Sequence, residues 1–290
     1  MIQVKKINDV IVKPIKNTNN GNLPIKGQSY FDEVYCNVFL CAKKKSGKTT
    51  VIYNILKACI GKNTKVHIFA STAFRDPAYK KIVEYLDKHE IQYEIYTSII
   101  EDGQNIVKQI IDELNLEAEE ELNKKEEEEE EEELNDKKKK VKGHLVVFGD
   151  EKDNEKVRKP RTPKYLAPEH FFIFDDLGAT LRDKSIDSIL KVNRHYKSKL
   201  IISSQYLNDL SPQARQQLDY MLVFKGLPID KLETIHKSID LSIPFETFVE
   251  YYQIATAIKY NFLYIDIRND KFRINFNTEL SPDDIELSDN

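Results

Sequence analysis

Apolar residues in this chain alternate between short unbroken runs and longer stretches where they recur at helical period. Val34–Cys41, VYCNVFLC, is continuously apolar and β-branched apart from Asn37, the pattern of a strand covered on both faces within a parallel sheet. A polar loop follows at once, and Thr50–Ile60 then repeats with the period of a helix. The same rhythm continues as strand Val66–Ala70, helix Ala78–His89, strand Tyr93–Tyr96 and helix Ile106–Leu116. After an interruption it resumes with strand His170–Phe174, helix Ser185–Val192, strand Leu200–Ser203, helix Pro212–Leu218, strand Tyr220–Phe224 and a helix around Asp230–Ser238. The last elements read as a helix over Phe245–Ala257 and an antiparallel hairpin, Phe262–Ile267 with Phe272–Phe276. Strands alternating with helices predict an α/β fold, a mostly parallel sheet flanked by helices.

The interruption is a charged tract from Glu117 to Lys142, containing eight consecutive glutamates at Glu126–Glu133 and then Lys137–Lys140. Such blocks bury too little apolar surface to offset the entropy of ordering, so a solvated, low-complexity insertion is expected. It holds 13 acidic and 7 basic side chains, a net of −6, which leaves +2 for the rest of a chain whose formal charge is −4. A body so close to neutral neither demands nor excludes a polyanionic partner. Residues 1–33 read as an N-terminal arm, 34–276 as one domain carrying the insertion at 117–142, and 277–290 as an acidic tail. Cys36, Cys41 and Cys59 lack the paired spacing of a metal site, which favours a reducing compartment. The first residues, MIQVKKINDVIVKPIK, break every apolar stretch with lysine, so neither a signal peptide nor a membrane span is expected.

Chemistry concentrates in Ala42-Lys43-Lys44-Lys45-Ser46-Gly47-Lys48-Thr49, followed by Thr50, which fits the phosphate-loop pattern except that alanine replaces the first glycine. A loop between a buried strand and a helix turns successive backbone N–H groups inward, and the helix terminus adds positive potential. In that arrangement Lys48 neutralises the β- and γ-phosphates of ATP, Thr49 offers its hydroxyl to Mg²⁺, and Gly47 lets the backbone approach closely. Ala42 is tolerable if its φ is negative and costly if it is positive. A GKT after lysines can also be a plain basic turn, but the strand before it and the helix after it favour the nucleotide reading.

The partner signal is His170-Phe171-Phe172-Ile173-Phe174-Asp175-Asp176-Leu177, an apolar strand ending in two acids. Ligands gather at the carboxyl ends of parallel strands, which would bring these carboxylates beside the loop. Asp175 is then the magnesium residue and Asp176 the one that orients or deprotonates the attacking water. Downstream lie Asn193-Arg194-His195 and Lys199-Leu200-Ile201-Ile202-Ser203-Ser204-Gln205. This strand delivers Gln205 to the same edge, where its amide can bond both γ-phosphate and water. Arg194 precedes the strand, at the opposite end, and is better placed for a neighbouring subunit's nucleotide than for its own.

Taken together, the loop, the strand ending Phe174-Asp175-Asp176-Leu177, and Arg194-His195 followed by SKLIISSQYLNDLSPQAR resemble the genome-packaging ATPases of the FtsK–HerA superfamily. The resemblance is to the poxvirus-type packaging ATPases of large DNA viruses and their virophage and polinton relatives, and covers about residues 34–226 without the insertion. Its most specific part is Arg194 through Gln205, which generic P-loop proteins lack. It implies a P-loop, RecA-like core, a homo-oligomeric ring at a capsid portal, and ATP-driven translocation of double-stranded DNA into the particle. It also implies a place in the viral factory of the host cytoplasm, with the virion as a second location. By position, Lys48 and Thr49 match the Walker A residues, Asp175 and Asp176 the Walker B pair, and Gln205 the polar sensor. Arg194 is similar to the intersubunit arginine finger, with Arg215 in reserve. Ala42 stands where the family has glycine, and Asp176 where many relatives have glutamate.

Lys184, Lys191, Arg194, His195, Lys197 and Lys199 make a basic neighbourhood before the sensor strand, suited to sequence-independent phosphate contact, although no DNA-contacting residue is assigned from it. Two rival functions share the loop: a P-loop nucleotide kinase, which needs an arginine-rich lid not evident here, and a nucleotide-binding assembly module that does not hydrolyse.

Overall fold

A computed structural model describes residues 23–120, 123–124 and 164–281. Nine strands form one sheet in the order β11-β10-β9-β8-β1-β7-β6-β2-β3. Its parallel part comprises β1 (Asn37–Cys41), β2 (Lys65–Ala70), β3 (Tyr93–Tyr96), β6 (His170–Asp175), β7 (Ser198–Ser204) and β8 (Tyr220–Phe224). The antiparallel edge is β9 (Phe262–Asp266), β10 (Lys271–Ile274) and β11 (Thr278–Leu280). β4 (Ile100–Glu101) and β5 (Gln104–Asn105) form a separate small hairpin.

The unbroken apolar runs follow from coverage on both faces. In β1, Val38 and Leu40 point into one core layer, and Phe39 and Cys41 into the other. The first layer packs under α1 (Lys48–Cys59) and α2 (Pro77–Lys88). The second packs under α3 (residues 106–120), α4 (Lys184–Val192), α5 (Pro212–Arg215), α6 (Ile229–Ser238) and α7 (Phe245–Ala255). α1 turns Ile52, Ile55, Leu56 and Cys59 to the sheet, a stripe at helical spacing that leaves its N-terminus at the sheet edge.

Several expectations are refined. The segment before β1, expected as an arm, places Phe31 in the core against Tyr220, Tyr264 and Phe276, a burial worth about 2–3 kcal/mol. The region expected as a tail begins with β11, whose three residues pair with β10. α5 ends at Arg215, earlier than the expected Leu218. The start of the charged tract, residues 117–120, continues α3 as helix; the rest of it apart from 123–124, and the apolar run His144–Phe148, lie outside the described residues. No helix among the described residues is long and apolar enough to cross a membrane.

Across β3, β2 and β6 runs a chain of hydrogen bonds. His67 Nδ1 faces Glu94 at 3.0 Å, and its Nε2 faces His170 Nδ1 at 3.3 Å, so a neutral His67 donates to the carboxylate and accepts from His170. The bond from His67 draws Glu94 down to about 2. Burial, then the neighbouring His67, pull His170 down to about 4. A His170 held neutral in the fold but free to protonate at about 6.5 when unfolded contributes stability that is complete above that value. That stability is lost as pH falls toward 4. Urea titrations across this window should therefore show a smaller loss of stability in His170→Asn than in the wild type. Equal losses in the two proteins would contradict the assignment.

Candidate functional site

The register of the sheet makes the site. β1 pairs with β7, and β7 with β6, so the loop after Cys41, the end of β7 at Ser204 and the end of β6 at Asp175 emerge side by side. The Ala42 amide donates to the Ser204 carbonyl at 2.9 Å, carrying the pairing one residue past β1. Ala42 is not among the residues with positive φ, so the alanine replacing glycine is unstrained; φ turns positive instead at Lys45 and Gly47. Gly47 is the N-cap of α1, and no side chain caps the helix there, whereas Asp76, Asp183 and Ser211 cap α2, α4 and α5. The free N–H groups of α1 and its positive end are thus left for an anion.

Lys48 begins α1 but is only 8% exposed, folded back across the strand ends. Its ammonium contacts Asp176 and lies 3.1 Å from Asp175 Oδ1, close in distance but without hydrogen-bond alignment. The other Asp175 oxygen accepts a 2.8 Å bond from the Tyr79 hydroxyl of α2, a residue with no accessible surface. Burial, and then the Asp175 charge, hold the Tyr79 phenol protonated well beyond its usual range, so it is a dedicated donor. Asp176 adopts a left-handed backbone, φ 51°, which aspartate tolerates better than most side chains. Its amide reaches the Ser203 carbonyl, and its side chain borders two adjoining cavities.

The first cavity, about 560 Å³, is lined by Lys44, Lys45, Gly47, Lys48, Thr49 and Thr50 from the loop and by Thr72, Arg75 and Asp76 opposite. The second, about 450 Å³, joins Lys44 and Asp176 to Gln205. Gln205 is thus delivered to the aspartate edge as its strand predicted, its carbonyl held by the Cys41 thiol at 3.6 Å. Burial pushes that thiol up to about 12, so it stays a donor. Lys43 runs past Gly226 rather than lining either cavity. Ser46 Oγ, Lys48 Nζ and Asp175 Oδ1 are buried without hydrogen-bond partners among the described residues. A polyphosphate and a divalent cation are the groups whose chemistry would satisfy all three, with Thr49 and Asp175 as the cation's protein contacts. Tyr79 and Arg75 had not been singled out from sequence. Their roles arise from where the β2–α2 connection lands, for which adjacent residues give no signal.

Arg194 lies at the other edge. Its guanidinium pairs with Glu33 at 3.1 Å and approaches Asp219 at 3.6 Å, and Arg268 joins both acids. β1, five residues long and so roughly 13 Å in rise, separates that edge from Lys48. Arg194 therefore does not reach the cavities beside Lys48 in its own chain. Arg215 is hydrogen-bonded through Nε and Nη2 to the Leu210 carbonyl. Lys199, counted in the basic neighbourhood, is 1% exposed, its ammonium held by the Glu33 carbonyl, Cys36 Sγ and the Phe31 ring, so it offers nothing to DNA.

No protein-family model matches the chain. Over 131 residues it is 30% identical to the uncharacterized protein 075L of Invertebrate iridescent virus 6; the match covers 40% of this chain and 49% of that protein, so the chain spans about half the length of this curated relative. Solved structures similar to it include B204, the DNA-packaging ATPase of Sulfolobus Turreted Icosahedral Virus (20% identity, TM-score 0.48, 82% of this chain and 96% of that one). The genome packaging NTPase B204 of Sulfolobus turreted icosahedral virus 2, solved in complex with AMPPCP, is similar too (19% identity, TM-score 0.47, 83% and 97%). So is the cytoplasmic domain of the Thermomonospora curvata Type VII Secretion ATPase EccC (14% identity, TM-score 0.43, 79% and 24%).

Removing one member of a buried charge cluster leaves the others uncompensated. Lys48→Ala should therefore lower the unfolding free energy of the nucleotide-free protein by about 3 kcal/mol in denaturant titration. A change of only a few tenths would mean that the ammonium does not hold the two aspartates together.

Proposed function

We propose that this chain is the ATP-hydrolysing motor of a viral genome-packaging system, drawing double-stranded DNA into a capsid as a homo-oligomeric ring. The observation that carries the reading is the meeting of Lys48, Asp175, Asp176 and Gln205 at one sheet edge, beside an uncapped helix terminus. The sequence resemblance carries the step from ATPase to packaging.

ATP binding requires Lys48 to exchange its two carboxylate partners for the β- and γ-phosphates, while loop N–H groups from Lys45 to Thr49 take the phosphate oxygens. Thr49 and Asp175 would hold a Mg²⁺ brought with the nucleotide, which would supply positive charge to the phosphates, and Tyr79 fixes the Asp175 carboxylate for that contact. Asp176, freed from Lys48, orients the water and takes its proton as oxygen attacks the γ-phosphorus and the bond to the bridging oxygen breaks. Gln205 contacts both the water and the γ-phosphate, so hydrolysis changes the contacts of β7. A neighbour's Arg194, released from Glu33 and Asp219, completes the charge around the transition state. Capsid or portal proteins and the DNA backbone are the partners this motor needs.

A ring predicts ATP turnover that rises more than proportionally with protein concentration and rises again with duplex DNA. Asp176→Asn should bind ATP within about threefold of wild type yet turn over at least about 100-fold more slowly. Mixing inactive Lys48→Ala with inactive Arg194→Ala should restore part of the activity, because one supplies the arginine to the other's intact site. Turnover proportional to concentration, indifferent to DNA and not restored on mixing would remove the motor. Unchanged turnover in Asp176→Asn would remove the water-activating role.

A further inference from the structure

The sheet order gives the bound triphosphate a direction. In the proposed function the γ-phosphate meets Asp176 and Gln205, at the tips of β6 and β7, which lie on one side of β1. The nucleoside must then leave the loop on the other side, toward β8 and β9. The connection between α7 and β9 projects there as a small ledge. Its Tyr260 ring comes within 3.3 Å of the position a side chain on Gly47 would take, so it borders the turn that opens α1.

That ledge is fastened and yet bare. The Lys225 ammonium holds the Ala257 carbonyl at 2.9 Å, the Asn261 amide reaches back to the Ile258 carbonyl, and Asn275 clamps Asn261 and Phe262. Two large apolar side chains nevertheless stay open, Ile258 at 69% and Tyr260 at 55% exposure. Tyr260 also has φ 72°, a left-handed conformation unusual for a bulky aromatic and kept only where the surroundings enforce it. The Lys259 ammonium rides 4.8 Å from the ring centroid. A rigid, strained, solvent-facing aromatic beside the phosphate loop is a stacking surface.

We infer that Tyr260 is the platform on which the base of the bound nucleoside triphosphate stacks, with the 257–260 ledge as the base end of the site. The inference rests on the phosphate-loop reading above. Stacking uses the ring face and not the hydroxyl, so phenylalanine serves as well as tyrosine. It acts on the base alone, so a ligand without one is indifferent to the substitution.

Calorimetric titration of the full chain with Mg²⁺ and a non-hydrolysable ATP analogue, and separately with Mg²⁺ and inorganic tripolyphosphate, tests this. Tyr260→Ala should weaken the analogue about 10-fold or more while moving tripolyphosphate less than twofold. Tyr260→Leu, which keeps bulk against Gly47, should follow the alanine variant, and Tyr260→Phe should stay within about threefold of wild type. Unchanged analogue binding in Tyr260→Ala, or equal weakening of both ligands, would overturn the platform and leave Tyr260 as a packing residue for the loop. Wild type binding tripolyphosphate as tightly as the analogue would also overturn it while leaving the phosphate loop intact. Wild type binding neither would remove the underlying nucleotide reading as well.

Discussion

A single ammonium set between two carboxylates at the tips of neighbouring strands is the constraint on which the rest depends. Lys48 has to be buried to reach Asp175 and Asp176, and a buried lysine is tolerable only with partners of opposite charge. The arrangement requires β1 and β6 to end at the same height with one strand between them, which the β1–β7–β6 register supplies. Under the proposed function those charges would also make a switch. A polyphosphate would compete with the aspartates for the same ammonium, so that binding at the loop and release of the Asp176 carboxylate would be one event.

Most of this was legible from the chain because the relevant signals are local. A strand covered on both faces is continuously apolar, Gly47 precedes the first residue of α1, and Asp175 and Asp176 stand where an apolar run ends, so each is visible in a few adjacent residues. Boundaries slipped where the signal is weak. β11, with the sequence Thr-Glu-Leu, is too short to show alternation, and it pairs only at the sheet's outer edge. The β4–β5 hairpin shows no strand pattern although Asp102-Gly103 marks it, with φ 50° and 78° at the two turn residues, because the flanking strands are only two residues each, too short for any alternation. Tyr79, Arg75 and Tyr260 were beyond reach for another reason. Each becomes informative only when a distant segment is folded against it, and nothing in the neighbouring residues records that contact.

The two edges of the sheet divide the labour. The carboxyl edge gathers loop, aspartates and Gln205, while the opposite edge holds Arg194 in a network with Glu33, Asp219 and Arg268. Under the proposed function that separation would have Arg194 complete the site of a neighbouring subunit. Lys199 and Arg194, five residues apart, differ so much because one is the second residue of a fully buried strand and the other stands exposed in the turn after α4.

The most direct test of the central claim is a structure of the protein with Mg²⁺ and a non-hydrolysable ATP analogue. The account predicts the triphosphate against the N-terminus of α1, with Lys48 turned from both aspartates onto the β- and γ-phosphates and the cation between Thr49 and Asp175. A nucleotide found elsewhere, or one seated at the loop while Lys48 still spans Asp175 and Asp176, would contradict it.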